Sequence, residues 1–447
     1  MESAFQRGVD WKGLFARPGF PYLFAGMFIS LFGTGMNFHG VTWYVLGATG
    51  STVQVSFLVI LVTLPGLIVP PFGGVLIDRV DRRYLTMTLD LLRGGIVLSV
   101  AALAQFGRVE VWHLYAMVLL LGIGFSIYWS TLNALVQEVV PAAQQVGANA
   151  AVLIAVQGGM MAAGGLVGFV YQHAGIAGIL AIDGATYLGS AFCLSRLRRG
   201  YFHPSHSFHP EQEEPPSTIE APLPAADRQA VLPAIVEPGL VMGFVADLQE
   251  GLRYLRTEPR VLATGITYAF MMAGVLSANV LVVVLARNVL HAGPVGYGYL
   301  ESGWAIGAVL GGAATGLLTR HFRPAHVLLV VLTLLAVGHA VFPYIYSLVV
   351  AVAMQAVFGG CRALGGVLTQ SSILTAVPRR LMGRIQSAFS VISTLLQVAM
   401  SFTLGWLAEH VNLPVAFAAL AMIYSGAVLA AMRAAAHGEQ RSGLGAP

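Results

Sequence analysis

Several charged side chains lie inside long apolar stretches of the sequence, where a charge is expensive and by default marks a pathway or a relay. Asp90 and Arg93 are three residues apart. On a helix they share a face, which favours pairing and a conformational role over contact with a ligand. Asp183 and Glu301 can carry a coupling proton, because apolar surroundings favour the protonated form of an acid. A structural pairing is the alternative for each, and Glu301 lies close enough to the end of its stretch to reach water.

Arg362 is another charge in an apolar stretch, close to its middle, with Gln355 and Gln370 on the same predicted helix. A guanidinium group presents donors in a planar fork, which suits anionic and carbonyl-rich groups. The alternative is a buried ion pair with a carboxylate elsewhere in the chain. Ligand binding and structural pairing both remain open for this arginine.

Two apolar stretches combine aromatic and polar side chains. His39 in the first can titrate near neutral pH or serve as a hydrogen-bonded structural group. Aromatic rings with a few polar groups suit a mid-sized amphipathic ligand. An aromatic belt at the membrane interface is the alternative. The candidates for ligand contact are Asn37, Trp43, Trp129, Asn133, Gln137, Gln355 and Arg362.

The composition is that of a polytopic membrane protein. Of 447 residues, 57% are hydrophobic and 10% are charged, whereas soluble domains carry about a quarter charged residues. The net charge of +4 does not indicate nucleic-acid binding. Cys193 and Cys361 both fall in apolar stretches, which predicts neither a disulfide framework nor a metal cluster. Phosphate-loop and His-Glu-x-x-His motifs are missing from the sequence, so we expect no ATP-driven pump, no enzyme, no metal and no cofactor.

Twelve apolar runs have about the 20 residues that a helix needs to cross a bilayer. A long polar segment separates the sixth run from the seventh, as expected of two related halves. The sequence therefore predicts an all-α membrane protein with 12 transmembrane helices in two pseudo-symmetric six-helix halves. The runs are 20–45, 53–77, 84–106, 111–138, 148–172, 175–195, 261–287, 294–318, 325–346, 348–376, 385–408 and 413–432.

The placement of lysine and arginine predicts the orientation. With the N-terminus in the cytoplasm, 20 of the 24 basic residues lie on that side, the inner side, and the opposite side is the outer side. The polar segment is rich in proline and glutamate, which is typical of a disordered linker. Leu248, Leu252 and Leu255 then share one face of an interfacial amphipathic helix. The predicted segments are a cytoplasmic N-terminal segment 1–19, a half 20–195, a linker 196–243, an interfacial helix 244–260, a half 261–432 and a cytoplasmic tail 433–447.

The turn between the second and third runs reads GGVLIDRVDRR from Gly73 to Arg83. So many charges between two apolar runs must lie in water or among headgroups, where the arginines can bond helix C-termini or carboxylates. The turn resembles the signature loop of the major facilitator superfamily, Gly-x-x-x-Asp-Arg-x-Gly-Arg-Arg, with Asp81 in place of the second glycine. The resemblance implies a conformational latch on the inner side, and we expect Asp90 and Arg93 to be part of it. The matching residues are Gly74, Asp78, Arg79, Arg82 and Arg83.

Three further stretches resemble the efflux branch of that superfamily, which includes the enterobactin exporter and macrolide exporters. They are DLLR from Asp90, DGATY from Asp183 and EGLRYLRTEPR from Glu250. The resemblance, over residues 20–432, implies alternating access to a cavity lined by helices 1, 4, 7 and 10, where Arg362 would contact the cargo. It also implies a monomer in a bacterial inner membrane that exports a drug, macrolide or siderophore, driven by inward proton flow.

The glycine-rich stretch from Gln157 to Gly168 resembles an element of the fifth helix in drug/proton antiporters. A face for close helix packing is the alternative. Two other functions also stay open. A transporter of the same fold could import or facilitate passage of a metabolite. A non-transporting membrane sensor or assembly partner is the second, and the motif turn disfavours it.

Overall fold

The computed structural model describes residues 10–69, 77, 80–141, 144–197, 240–378 and 381–443. All regular secondary structure in these ranges is helical. Gly74, Asp78 and Arg79 of the motif turn lie outside the described residues, as does most of the predicted linker.

Local signals define the helix ends in the first half. Gly50 adopts φ 67° and ends the first long helix. Ser51 then caps the next helix, because its hydroxyl oxygen accepts a hydrogen bond from the Gln54 amide at 3.2 Å. Asp81 accepts from the Arg83 amide at 2.9 Å and caps the third-run helix. The helices are α1 (Trp11–Phe15), α2 (Phe20–Thr49), α3 (Thr52–Thr63), α4 (Pro65–Ile68), α5 (Arg82–Gln105), α6 (Val111–Val139) and α7 (Gln145–Ser195).

Helix α7 contains both the fifth and the sixth predicted runs. Its 51 residues would span about 77 Å at 1.5 Å per residue, more than twice the hydrocarbon core of about 30 Å. Gly175 breaks the helix with φ 60° and ψ −160°, a conformation that side chains with a Cβ rarely adopt. The chain therefore crosses twice and turns at Gly175. This glycine is the first residue of the sixth predicted run, and the fifth run ends at residue 172.

The second half begins with a proline in the first turn of three successive long helices, where the missing amide hydrogen costs nothing. A π-helical turn, Leu285–Val289, extends the first of them, and a 3₁₀ turn, Phe342–Tyr344, extends the third. The helices are α8 (Leu240–Thr257), α9 (Pro259–Val284), α10 (Gly293–His321), α11 (Pro324–Val341), α12 (Leu348–Ala376), α13 (Met382–His410) and α14 (Leu413–Gly443).

Two helix ends differ from the predicted segment boundaries. Helix α8 begins at Leu240 and ends at Thr257, not at 244 and 260, because apolar residues extend its start and Pro259 begins a new helix. The C-terminal segment predicted as a tail from 433 continues helix α14 to Gly443, since its alanines favour a helix. Of the predicted apolar face of α8, Leu255 is buried whereas Leu252 is exposed.

Nine helices in the described ranges are long and apolar enough to cross a bilayer, with α7 counted once for its two crossings. The 30-residue α2 and the shorter apolar helices α3 and α4 correspond to the first two runs. The prediction of an all-helical membrane protein with two six-helix halves is confirmed.

The two halves contact each other at the outer end. Glu409 at the end of α13 accepts hydrogen bonds from the Ser51 hydroxyl at 2.6 Å and the Val53 amide at 2.9 Å. Deeper along the same pair of helices, the Gln397 amide donates to the Thr63 hydroxyl at 2.6 Å. Helix α7 packs against α10 across the other side of the interface. These contacts hold α3 and α7 of the first half against α10 and α13 of the second.

At the inner end, two ion pairs each lie within one half. Arg82 of α5 pairs with Glu138 of α6, and Arg384 of α13 pairs with Glu250 of α8.

Candidate functional site

A buried polar cluster occupies the interior of the first half. Asp90 and Arg93 form the ion pair that their spacing predicted, and both are fully buried. The Ser190 hydroxyl donates to the second oxygen of Asp90 at 2.6 Å. The Arg93 guanidinium lies between the rings of Tyr128 and Tyr187, 4.3 and 4.4 Å from their centres. The charge is therefore compensated within the half by α5, α6 and α7.

Asp183 lies in the same interior, with no exposed surface. The Asn37 amide donates to its Oδ2 at 2.6 Å. Its Oδ1 has no hydrogen-bond partner among the described residues. A Cβ at Gly33 would lie 2.6 Å from that oxygen, so α2 can approach the carboxyl group only with glycine there. Asn37, predicted as a ligand contact, is engaged by Asp183 in this conformation.

A second titratable group lies where the halves meet. His39 of α2 places Nδ1 3.7 Å from Oε2 of Glu301 and 3.3 Å from the Tyr297 hydroxyl, both on α10. The Trp43 ring stacks on the Tyr297 ring with centres 5.5 Å apart. Glu301 is only 6% exposed. The expectation that it reaches water is wrong for this conformation, because α2 and α7 cover it.

Glycines of α7 bring it into backbone contact with α10. A Cβ at Gly164 would lie 2.9 Å from the Ser302 nitrogen, and a Cβ at Gly168 would lie 2.4 Å from the Pro294 oxygen. Gly159, earlier in the same stretch, similarly approaches α2. The glycine-rich stretch Gln157–Gly168 is thus a close-packing face, the alternative that the sequence left open.

The remaining candidates divide between two helices. On α6, Trp129 is half-buried, the Asn133 amide donates to the Trp129 carbonyl at 2.8 Å, and Gln137 is exposed. On α12, Gln355 is buried and Arg362 is half-buried beside a narrow cavity inside the second half. The contacts of the described residues do not join the α6 group to the α12 group.

The described part of the motif turn bonds within the first half. Arg82 pairs with Glu138, and Arg83 donates to the carbonyls of Leu194 and Ser195 at 3.0 and 2.5 Å. Arg83 therefore caps the C-terminus of α7, as expected of an arginine beside a helix end.

Sequence reasoning missed several partners of the predicted residues. Helical spacing was the available signal for some of them: Tyr187 follows Asp183 by four residues, and Tyr297 precedes Glu301 by four. Ser190 and Glu138 gave no signal beyond their polarity.

Comparison with known proteins identifies the fold. Residues 23–401 match the family model described as Major Facilitator Superfamily. Macrolide efflux protein A of Streptococcus pyogenes is 22% identical over 321 residues, covering 71% of this chain and 70% of that protein. Multidrug efflux pump Tap of Mycolicibacterium fortuitum is 22% identical over 390 residues, covering 87% and 89%.

Solved structures share the fold at low identity. The nucleoside transporter NupG superposes with a TM-score of 0.68 at 12% identity, covering 92% of this chain and 98% of that one. A bacterial homolog of the human lysosomal transporter Spinster, in an inward-facing and unoccupied conformation, gives 0.60 at 15% identity, covering 93% and 95%. The matches to the macrolide and Tap efflux proteins agree with the efflux-branch resemblance found in the sequence. This chain, a multi-pass membrane protein, belongs to the major facilitator superfamily of transporters.

Proposed function

We propose that this protein is a proton-coupled exporter of a small amphipathic molecule, working by alternating access in a bacterial inner membrane. It would act as a monomer with both termini in the cytoplasm. The direction is supported by the two efflux relatives. The contacts between the halves at the outer end support an outer-closed, inward-facing conformation.

The contact between His39 and Glu301 carries the proposal. It joins a titratable pair across the two halves, at the end that must open to release cargo outside. When the outer end opens, α10 separates from α2 and Glu301 meets external water. A protonated carboxyl group is cheaper to bury than a carboxylate, so proton binding from outside favours closure and return to the inward-facing conformation. Asp183, whose Oδ1 is unbonded among described residues, is the second candidate for the proton.

The membrane potential and the pH gradient supply enough free energy for export. One charge crossing 100 mV supplies about 2.3 kcal/mol. At about 1.4 kcal/mol per tenfold ratio, one proton supports roughly 50-fold accumulation, and a pH gradient adds to it.

The motif turn would act as the inner latch. Arg82 and Arg83 tie α5 to the inner ends of α6 and α7. In the outward-facing conformation, Asp78 would join the inner ends of neighbouring helices. Asp78→Asn should therefore change transport rates and the distribution of conformations. An unchanged distribution would contradict the latch.

The test uses inverted membrane vesicles with an imposed pH gradient and a probe of internal pH. The compounds are drugs, macrolides, and catecholate and hydroxamate siderophores. We expect cargo-dependent proton release from the lumen, abolished by Glu301→Gln or Asp183→Asn. Glu110→Gln, which removes an exposed outer carboxylate, should release protons like the unmodified protein.

The outcomes separate the rival functions. Counterflow of a metabolite without proton movement would indicate an importer or facilitator of the same fold. Neither proton movement nor counterflow with any compound would contradict coupled export and favour a non-transporting role.

A further inference from the structure

A narrow cavity lies inside the second half, among α9, α10, α11, α12 and α14. Its volume of about 20 Å³ is room for about one water molecule. It can therefore admit a small polar group of a ligand but not a whole amphipathic molecule. We call it the C-half cavity, and its polar and aromatic lining comprises Asn279, Trp304, His339, Gln355, Phe358, Arg362 and Tyr424.

The positive charge of Arg362 has no acidic partner in this half. Between residues 261 and 432 the sequence contains two acidic residues, Glu301 and Glu409. Glu301 contacts His39, and Glu409 accepts from Ser51 at the outer end. Within the described residues, no carboxylate lies within ion-pair distance of Arg362. The buried ion pair that the sequence left open for Arg362 is therefore not formed.

The hydrogen-bonding capacity of Arg362 is largely unused. One terminal nitrogen lies 2.8 Å from the sulfur of Met272, a weak acceptor. Its Nε is buried and, among the described residues, has no hydrogen-bond partner. Arg93 in the first half, by contrast, forms an ion pair with Asp90 and lies between two aromatic rings. A cation kept inside a membrane protein without a counter-charge indicates a functional site.

Among the described residues, the lining contains no carboxylate that would pair with a cationic ligand. Gln355 is 4% exposed and offers an amide. His339 donates through Nδ1 to the Leu335 carbonyl at 2.7 Å and stacks on Phe358 with ring centres 4.1 Å apart. Its ring is thus fixed by its own helix and by α12.

The Arg362 side chain points along α12 toward its inner end. Helix α12 runs from the outer to the inner end, and a Cβ at Gly366 would lie 2.7 Å from an Arg362 nitrogen. The side chain therefore extends one turn inward and lies beside Gly366. Arg362 is half-buried, so part of its surface is exposed, and one terminal nitrogen faces Met272 of α9.

We propose that the C-half cavity binds the anionic group of the transported molecule through Arg362, so that the cargo is an anionic amphiphile rather than a cationic drug. A carboxylate would accept from the guanidinium, with Gln355 and Asn279 available as further donors. The Trp304 ring would contact the adjoining apolar part. The identification of the anion as part of the transported cargo rests on the proposed export function. The binding of an anion at Arg362 does not.

The test compares three probes that share one scaffold and differ in charge. They are 4-phenylbutyrate, 4-phenylbutanol and 4-phenylbutylamine, titrated calorimetrically into the full-length protein in a neutral maltoside detergent. We expect the anion to bind most tightly and the amine least. Losing a charge-assisted hydrogen bond corresponds to about 10- to 100-fold in affinity, so Arg362→Gln should weaken 4-phenylbutyrate by that factor.

Two matched variants control the test. Arg320→Gln removes the same charge from an exposed inner position on α10 and should leave the affinity unchanged. Arg362→Lys keeps the charge but loses the planar fork, and should bind the anion with intermediate affinity. The charge order measured in the unmodified protein does not depend on whether any variant folds.

Equal affinity for the three probes, or tighter binding of the amine, would overturn the proposal. Doping the micelles with phosphatidylglycerol distinguishes a soluble anion from a lipid headgroup: loss of the 4-phenylbutyrate signal would assign the anion site to the headgroup and overturn its role in cargo binding. A clear charge preference without proton release in vesicles would retain the anion site and reject coupled export. Proton release without any charge preference would support coupled export and reject the anion site.

Discussion

Replacing Gly168 by alanine should push the transporter out of the outer-closed conformation. A Cβ at this position would lie 2.4 Å from both the Pro294 oxygen and the Val295 Cα. Both are backbone atoms of α10 and cannot rotate away. Since ordinary contacts lie at roughly 3.5–4.0 Å, α7 and α10 must separate locally by about 1 Å.

The expected size of the effect follows from that clash. Overpacking a close interface by one methyl group costs about 1–3 kcal/mol. The cost falls on the outer-closed conformation only, because opening the outer end separates α7 from α10. At about 1.4 kcal/mol per tenfold, the ratio of outer-open to outer-closed molecules should rise about 5- to 150-fold.

Double electron–electron resonance measures this ratio directly. Spin labels at Arg108→Cys and Tyr346→Cys, both at exposed outer turns of different halves, report the outer separation in a background whose native cysteines are serines. Gly165→Ala is the matched control. Its Cβ would lie 3.5 Å from the Ser302 hydroxyl, an ordinary contact, and it gains the same helix propensity.

We expect a population at longer distance in Gly168→Ala and no change in Gly165→Ala. Equal distance distributions for Gly168→Ala and the unmodified protein would refute the inference that this contact closes only in one conformation. A shift of the same size in both variants would attribute the effect to helix propensity instead.

Two further predictions follow from buried and bridging contacts. Asp90→Asn should destabilise the protein by about 3–5 kcal/mol, because it leaves Arg93 buried without its counter-charge. The thermal midpoint in detergent should fall, and the Asp90→Asn/Arg93→Met variant should regain part of the loss; a double variant less stable than the single one would contradict this account. Glu409→Leu removes the acceptor for Ser51 and Val53. It should raise the outer-open population by less than Gly168→Ala, since exposed polar contacts contribute little, and an unchanged distance distribution would show that this contact is dispensable.

Much of the fold follows from the sequence because the bilayer imposes one length on every crossing. Apolar runs of about 20 residues with charges only in the turns leave few alternatives to spanning helices. Gly175 illustrates how local this information is: the break between two predicted runs coincides with the positive φ of one glycine. Helix ends are harder to predict where residues beyond the apolar run also favour a helix, as in α14 beyond residue 433.

The site was predictable where its partners are close in sequence. Asp90 and Arg93 were expected to pair because three residues on a helix bring two side chains to one face. Asn37 and Asp183 are 146 residues apart, and His39 and Tyr297 are 258 apart. No spacing rule connects such pairs, since their proximity depends on how whole helices pack.

The sequence by itself determined the twelve apolar runs, the motif turn and which charged residues fall within the membrane-spanning segments. Tertiary structure alone decided the partner of each charge. It engaged Asp183 with Asn37, placed Glu301 at the contact between the halves, and left Arg362 beside a neutral cavity. The physical reason is that local sequence sets which groups are buried, whereas the energy of a buried charge depends on what the neighbouring helices bring within a few ångströms of it.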